Sequence, residues 1–223
     1  MDDQTQLYLQ ATRFMDYGAV SVSDFARDAT ATAQTDTEAA VNLYYAVRDQ
    51  IRYDPYSIAL DPDKMAASAT VTTGVGYCVT KSILLAAAAR ASNIPSRLGY
   101  ANVRNHLTTG RLKKYMKTDV FVFHGYTELL LDGSWVKTTP IFNHSLCDRF
   151  GVTPLEFDGR HDSLFHEFDS RGNRHMEYLQ DHGHFADVPY EKLVSEFQKH
   201  YPHMYKSGEF TVSGDFNTEA LED

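Results

Sequence analysis

Cys78 follows a Gly-x-Gly-Tyr segment (74–77) and heads a run, Val79–Ala91, that is apolar on nearly every face. A helix apolar all round is a buried one, so the spacing predicts a thiol at the N-terminus of a buried helix. Partial positive charge and free N–H groups there favour a thiolate and can hold an oxyanion formed on a nearby carbonyl. A lone cysteine is also commonly no more than a small buried hydrophobe, so the reading needs a second group. His124 supplies one. It lies in DVFVFHGYTELLL (119–131), a strand-forming run followed by Asp132-Gly133, a dipeptide favoured in two-residue hairpin turns, and by a returning strand SWVKTTPIF (134–142). With a two-residue turn Leu131 faces Ser134, Thr139 faces Tyr126 and Ile141 faces His124. Alternate residues share a face, which makes Thr139 a diagonal neighbour of His124. A one-residue slip would reverse that relation. A thiol and an imidazole with a polar neighbour can carry out nucleophilic acyl transfer.

The arrangement resembles the transglutaminase-like superfamily. The residues that carry the resemblance are GVGYC (74–78), RASNIPSRLGY (90–100), FHGYTELLLDGSW (123–135) and KTTP (137–140), with IRYDP (51–55) on the approach to the cysteine. Together they cover roughly residues 36–145. The resemblance implies a bacterial-type single-domain member with a papain-like α+β core, Cys78 as nucleophile and His124 as its base. Such enzymes cleave or form amide bonds through a thioester. One position departs from the pattern: where the family places an aspartate after the hairpin tryptophan, this chain has Thr139. A threonine hydroxyl can accept the imidazole N–H bond but brings no negative charge. Asn143 shares the parity of Thr139, and an amide does this work in papain-like enzymes. His124 is thus oriented by Thr139, by Asn143 or by neither. The expected function is amide or peptide hydrolysis rather than crosslinking. The alternative is a catalytically inactive binding module on the same fold.

The elements that must position these groups follow from pattern. Thr35-Asp36-Thr37-Glu38 has the capping-box form, and Ala40, Val41, Tyr44, Val47 and Ile51 recur at helical spacing behind it, predicting a helix over 36–52. Residues 5–34 read as one or two helices with Asp24 as a cap. SRLGYANV reads as a strand, and the basic stretch with Arg111, Lys113, Lys114 and Lys117 as a loop over 105–118. Residues 148–188 read as a surface wrap without periodicity, and Tyr190–Tyr201 as a final helix. Helices followed by strands imply an α+β fold with an antiparallel sheet. The expected organisation is one domain over 1–212, with a C-terminal wrap from 146 and an acidic tail over 213–223.

Composition excludes other classes. The chain of 223 residues carries 21 basic and 30 acidic side chains, for a net charge of −9, with four acids in the last eleven residues. Such a balance disfavours nucleic acid as a partner. The longest apolar run, Ile83–Ala89, is far too short to span a bilayer, and the acidic first residues do not resemble a signal peptide. The expectation is a cytoplasmic protein acting on a protein, peptide or small amide, with no membrane partner. Two cysteines make no disulfide framework. Cys78 is expected to ionise near neutral pH, and Cys147, with no histidine at motif spacing, to be a buried thiol. His161, His166, His175, His182 and His184 fit neither HExxH nor a zinc-ribbon spacing. No metal or cofactor is expected.

Overall fold

The computed structural model describes residues 3–105, 109–164, 176–206, 209–210 and 214–219. Four helices are stacked on one face of a four-stranded antiparallel sheet. They are α1 (Val20–Thr30), α2 (Asp36–Gln50), α3 (Ala67–Thr73) and α4 (Cys78–Ala91). Next come β1 (Ser96–Asn105), the short helix α5 (Gly110–Met116), β2 (Val120–Leu131), β3 (Ser134–Thr138), α6 (His144–Phe150), β4 (Met176–Phe185) and α7 (Tyr190–His200). The sheet order is β3-β2-β1-β4. This is the α+β class expected from the element order.

α4 is the axle of the molecule. Every residue from Cys78 to Arg90 is buried, and its alanines let neighbouring elements pack close to its backbone. Its two internal basic side chains are held by carbonyls. Lys81 Nζ donates to Arg48 O (3.0 Å) and Ile51 O (2.6 Å), and Arg90 donates to Gln10, Ser96 and Ala186 carbonyls. Asn93 in the left-handed region (φ +60) and Pro95 end the helix.

The hairpin has the expected register, with Leu131 opposite Ser134 and Thr127 opposite Thr138. Asp132 (φ +49) and Gly133 (φ +81) both occupy the left-handed region that a type I′ turn requires. The returning strand stops at Thr138, because the Thr139 N–H turns aside to Ser163 O at 2.9 Å.

Several expectations are corrected. α2 is capped by Thr35, which accepts from Glu38 N (3.1 Å), but Glu38 answers to Gln34 N (2.7 Å) rather than to the cap. Asp24 lies inside α1, whose N-cap is Ala19. The basic stretch is not a plain loop: Thr109 caps α5 by accepting from Leu112 N at 3.2 Å. The wrap includes α6 and the edge strand β4, and α7 is followed by a further helical turn, Phe216–Glu219. β4 exposes much of its length, so partnership with β1 defines it rather than an apolar pattern. The buried core runs from Phe14, Met15 and Val22 through α4 to Phe216, so residues before 36 and within the acidic segment share it. Among the described residues, no helix is long and apolar enough to cross a membrane.

Candidate active site

The approach to the cysteine is built by a two-residue parallel pair. Arg52 and Tyr53 lie beside Val75 and Gly76, and the Asp54 N–H donates to Gly76 O at 3.0 Å. Gly76 is needed by close approach, since a Cβ there would lie 2.8 Å from Thr80 Oγ1. That hydroxyl accepts the Tyr77 N–H (3.1 Å) and fastens the first turn of α4. Cys78 is then presented at N1 of the helix, a free thiol with 8% of its surface exposed.

β2 crosses this helix start. A Cβ on Gly125 would lie 3.0 Å from the Val79 Cα, so only glycine lets the strand come this close. The backbone N–H groups of Gly125, Val79 and Cys78 favour the thiolate, but burial outweighs them and pushes the thiol up to about 11. His124, adjoining Gly125, is 6% exposed, and burial drives its imidazole down to about 4. Burial thus favours the neutral form of both groups and opposes the expected ionisation of Cys78 near neutral pH. Cys147 is wholly buried and pushed up to about 12 by burial.

A β-bulge precedes the histidine. Ala101 pairs with His124 and Val103 with Phe121, so Val122 and Phe123 together stand opposite Asn102. Phe123 has φ +55, a costly region for a bulky residue, and three hydrogen bonds from two partners hold the bulge there. Its N–H donates to Asn102 Oδ1 (3.1 Å), while the Tyr201 hydroxyl accepts from Val122 N (2.7 Å) and donates to Val120 O (2.9 Å). Sequence reasoning missed Asn102 and Tyr201. Gly125, a glycine inside a strand pattern, was the available signal of a close backbone approach.

Thr139 and His124 line one small cavity with Ile141, Phe142, Leu155, Leu164 and Met176. Among the described residues neither the Thr139 hydroxyl nor His124 Nδ1 has a hydrogen-bond partner. Asn143 is engaged elsewhere. Its Oδ1 accepts from Tyr53 N (2.7 Å) and its Nδ2 donates to Ile51 O (2.8 Å) and to Arg48 O. The two carbonyls at the end of α2 are thus shared between Asn143 and Lys81, and the amide holds the approach loop. Of the two candidate orienters, only Thr139 shares a cavity with the imidazole.

Among the described residues the histidines of this region do not converge. His161 Nδ1 pairs with Asp158 (2.7 Å) and His182 Nε2 with Asn102 Oδ1 (2.8 Å), while His166 and His175 lie outside the described residues. Among the described residues no group of three or more potential metal ligands is found.

No curated protein matches the chain. Among the solved structures that resemble it distantly are two described as proteases. One, from Cytophaga hutchinsonii and described as "a Putative Cysteine Protease", is 16% identical with a TM-score of 0.48, over 63% of this chain and 43% of that one. The other, from Parabacteroides distasonis and described as "a putative protease", is 12% identical with a TM-score of 0.39, over 60% and 26%. The chain thus spans less than half the length of either. The sequence profile of the transglutaminase-like superfamily matches residues 23–140, just over half of the 223 residues, from within α1 to the end of the hairpin. With the thiol at the start of the buried helix and the histidine on the crossing strand, the chain belongs to the transglutaminase-like superfamily.

Proposed function

We propose that the protein is a thiol hydrolase of amide or peptide bonds, with Cys78 as nucleophile and His124 as general base. The reading is supported above all by one observation, Cys78 buried at the head of α4, where the strand that carries His124 crosses with Gly125 packed against Val79. His124 takes the thiol proton as sulfur bonds to the carbonyl carbon, and the N–H groups at the helix start meet the developing oxyanion. The C–N bond breaks as the imidazolium returns the proton to the leaving amine, leaving a thioester. Water, deprotonated by the same imidazole, then cleaves the thioester to a carboxylic acid and restores the thiol.

Amine release from glutamine-containing peptides and casein tests this, with and without an added primary amine. Release should depend on Cys78 and His124, be lost in Cys78→Ala, and leave little of the added amine incorporated. Incorporation would make the enzyme a crosslinker. A second reading, a silent binding module, has one observation in its favour: among the described residues His124 Nδ1 has no acidic partner that would stabilise an imidazolium. Equal behaviour of wild type and Cys78→Ala towards a fluorescent thiol-reactive probe would decide for it.

A further inference from the structure

Both reactive groups are buried, and the chain's own acidic segment packs on Tyr53, in the strand pair that leads into Cys78. Phe216 is 2% exposed. Its ring meets Tyr53 (5.7 Å between centroids) and Phe150 (5.4 Å). Tyr53 in turn packs edge-on to Phe142 (5.0 Å), a wall of the His124 cavity, and belongs to the strand pair that leads into Cys78. Three residues on, the buried carboxylate of Glu219 accepts from Tyr56 OH (2.6 Å) and Thr109 Oγ1 (2.9 Å) and lies 3.5 Å from Arg111 Nε. Between them Arg149 donates to Asn217 O at 2.9 Å. Gly214 lies so close to Tyr56 that a Cβ would fall 2.5 Å from its ring. An aromatic side chain and a carboxylate one helical turn apart are each seated in a fitted place, on the loop that presents the nucleophile.

We propose that this surface, from Tyr53 and Phe150 to Tyr56, Thr109 and Arg111, is a binding groove for acidic peptides bearing an aromatic residue three positions before a carboxylate, and that residues 214–219 fill it as an internal competitor. The inference rests on the thiol-hydrolase reading and adds to it a substrate class. Arg111 of α5 gives the groove's acidic end its charge complement. Displacing the segment uncovers Tyr53 and the strand pair before Cys78, so a matching peptide opens the site that it then enters.

The test reads alkylation of the two thiols by iodoacetamide, resolved by mass spectrometry, in the full chain. Phe216→Ala and Glu219→Ala should each speed alkylation of Cys78 by about tenfold or more, as expected for loss of a packed ring or a charge-assisted bond pair. Cys147 should stay protected, which shows that the fold is intact. A synthetic peptide of residues 212–221 should bind Glu219→Ala and slow Cys78 alkylation again, whereas the same peptide with alanine for both Phe and Glu should do neither. Unchanged Cys78 alkylation in both variants, or acceleration matched at Cys147, overturns the proposal. Failure of amide release with Cys78 uncovered as expected would instead refute the hydrolase reading and leave the groove standing.

Discussion

Cys78 and His124 face opposite penalties from one cause. Burial holds the thiol near 11 and the imidazole near 4, so each is kept uncharged. The histidine therefore makes folding sensitive to acid. Between its ordinary value of 6.5 and about 4 the unfolded chain binds a proton that the folded chain refuses. Stability from this site is lost as pH falls through that window, by roughly 3 kcal/mol in full. His124→Gln should flatten the difference between urea midpoints at pH 6.5 and 4, and parallel profiles would count against a buried neutral imidazole. The thiol acts on the alkaline side. The folded chain retains a proton that the unfolded chain releases between about 9 and 11, so stability is lost as pH rises through that interval. Thr139 is where the balance can be moved. Thr139→Asp puts a carboxylate in the cavity that His124 lines, which should raise the imidazole value and favour a Cys–His ion pair. Faster alkylation of Cys78 at pH 7 is the expected outcome, and a slower rate would mean that burying the new charge dominates. Asn143→Ala should lower thermal stability by severing the approach loop from the end of α2, without acting on His124 Nδ1 directly.

At the scale of elements, the bulge in β2 is the feature that aims the histidine. Two residues opposite one, with Phe123 at φ +55, are held by Asn102, which accepts the Phe123 N–H, and by Tyr201, which bonds both Val122 N and Val120 O. Tyr201→Phe keeps the packed ring and removes both bonds. It should cost about 1–3 kcal/mol in urea unfolding and also slow Cys78-dependent turnover, because relaxation of the bulge re-aims His124. Lost stability with unaltered turnover per folded molecule would make Tyr201 merely structural. This bulge was illegible in the sequence, since its partners come from β1 and from beyond α7. The hairpin was legible for the opposite reason. Asp132-Gly133 supplies its own turn geometry, and the period of two then dictates the pairing from Leu131–Ser134 to Thr127–Thr138. α4 was equally readable, because a run apolar on all faces has no other place to go. Asn143 misled by parity. Beyond Thr138 the chain leaves the sheet, so alternation no longer says where a side chain points, and the amide finds the carbonyls of Arg48 and Ile51 instead. β4 was missed because an exposed edge strand needs no apolar face, only a neighbour with free backbone groups.

Across the whole molecule the two thiols report on different depths of the same core. Cys147 is fully buried in α6 and packed into the cluster that runs from Phe14 to Phe216. Reaching it requires that cluster to open. Cys78 lies at the start of α4, just after the strand pair of Tyr53, the residue on which Phe216 packs. Local openings expose little surface and respond weakly to denaturant, whereas global unfolding responds with the full slope. Alkylation of Cys147 in increasing urea should therefore follow the slope of global unfolding. Alkylation of Cys78 should be faster in water and nearly flat at low urea, and should merge with the Cys147 line only near the transition. Two coincident lines over the whole range would mean that the nucleophile is reached only by unfolding the protein, and a working enzyme could not then be built on the buried arrangement of Cys78 and His124.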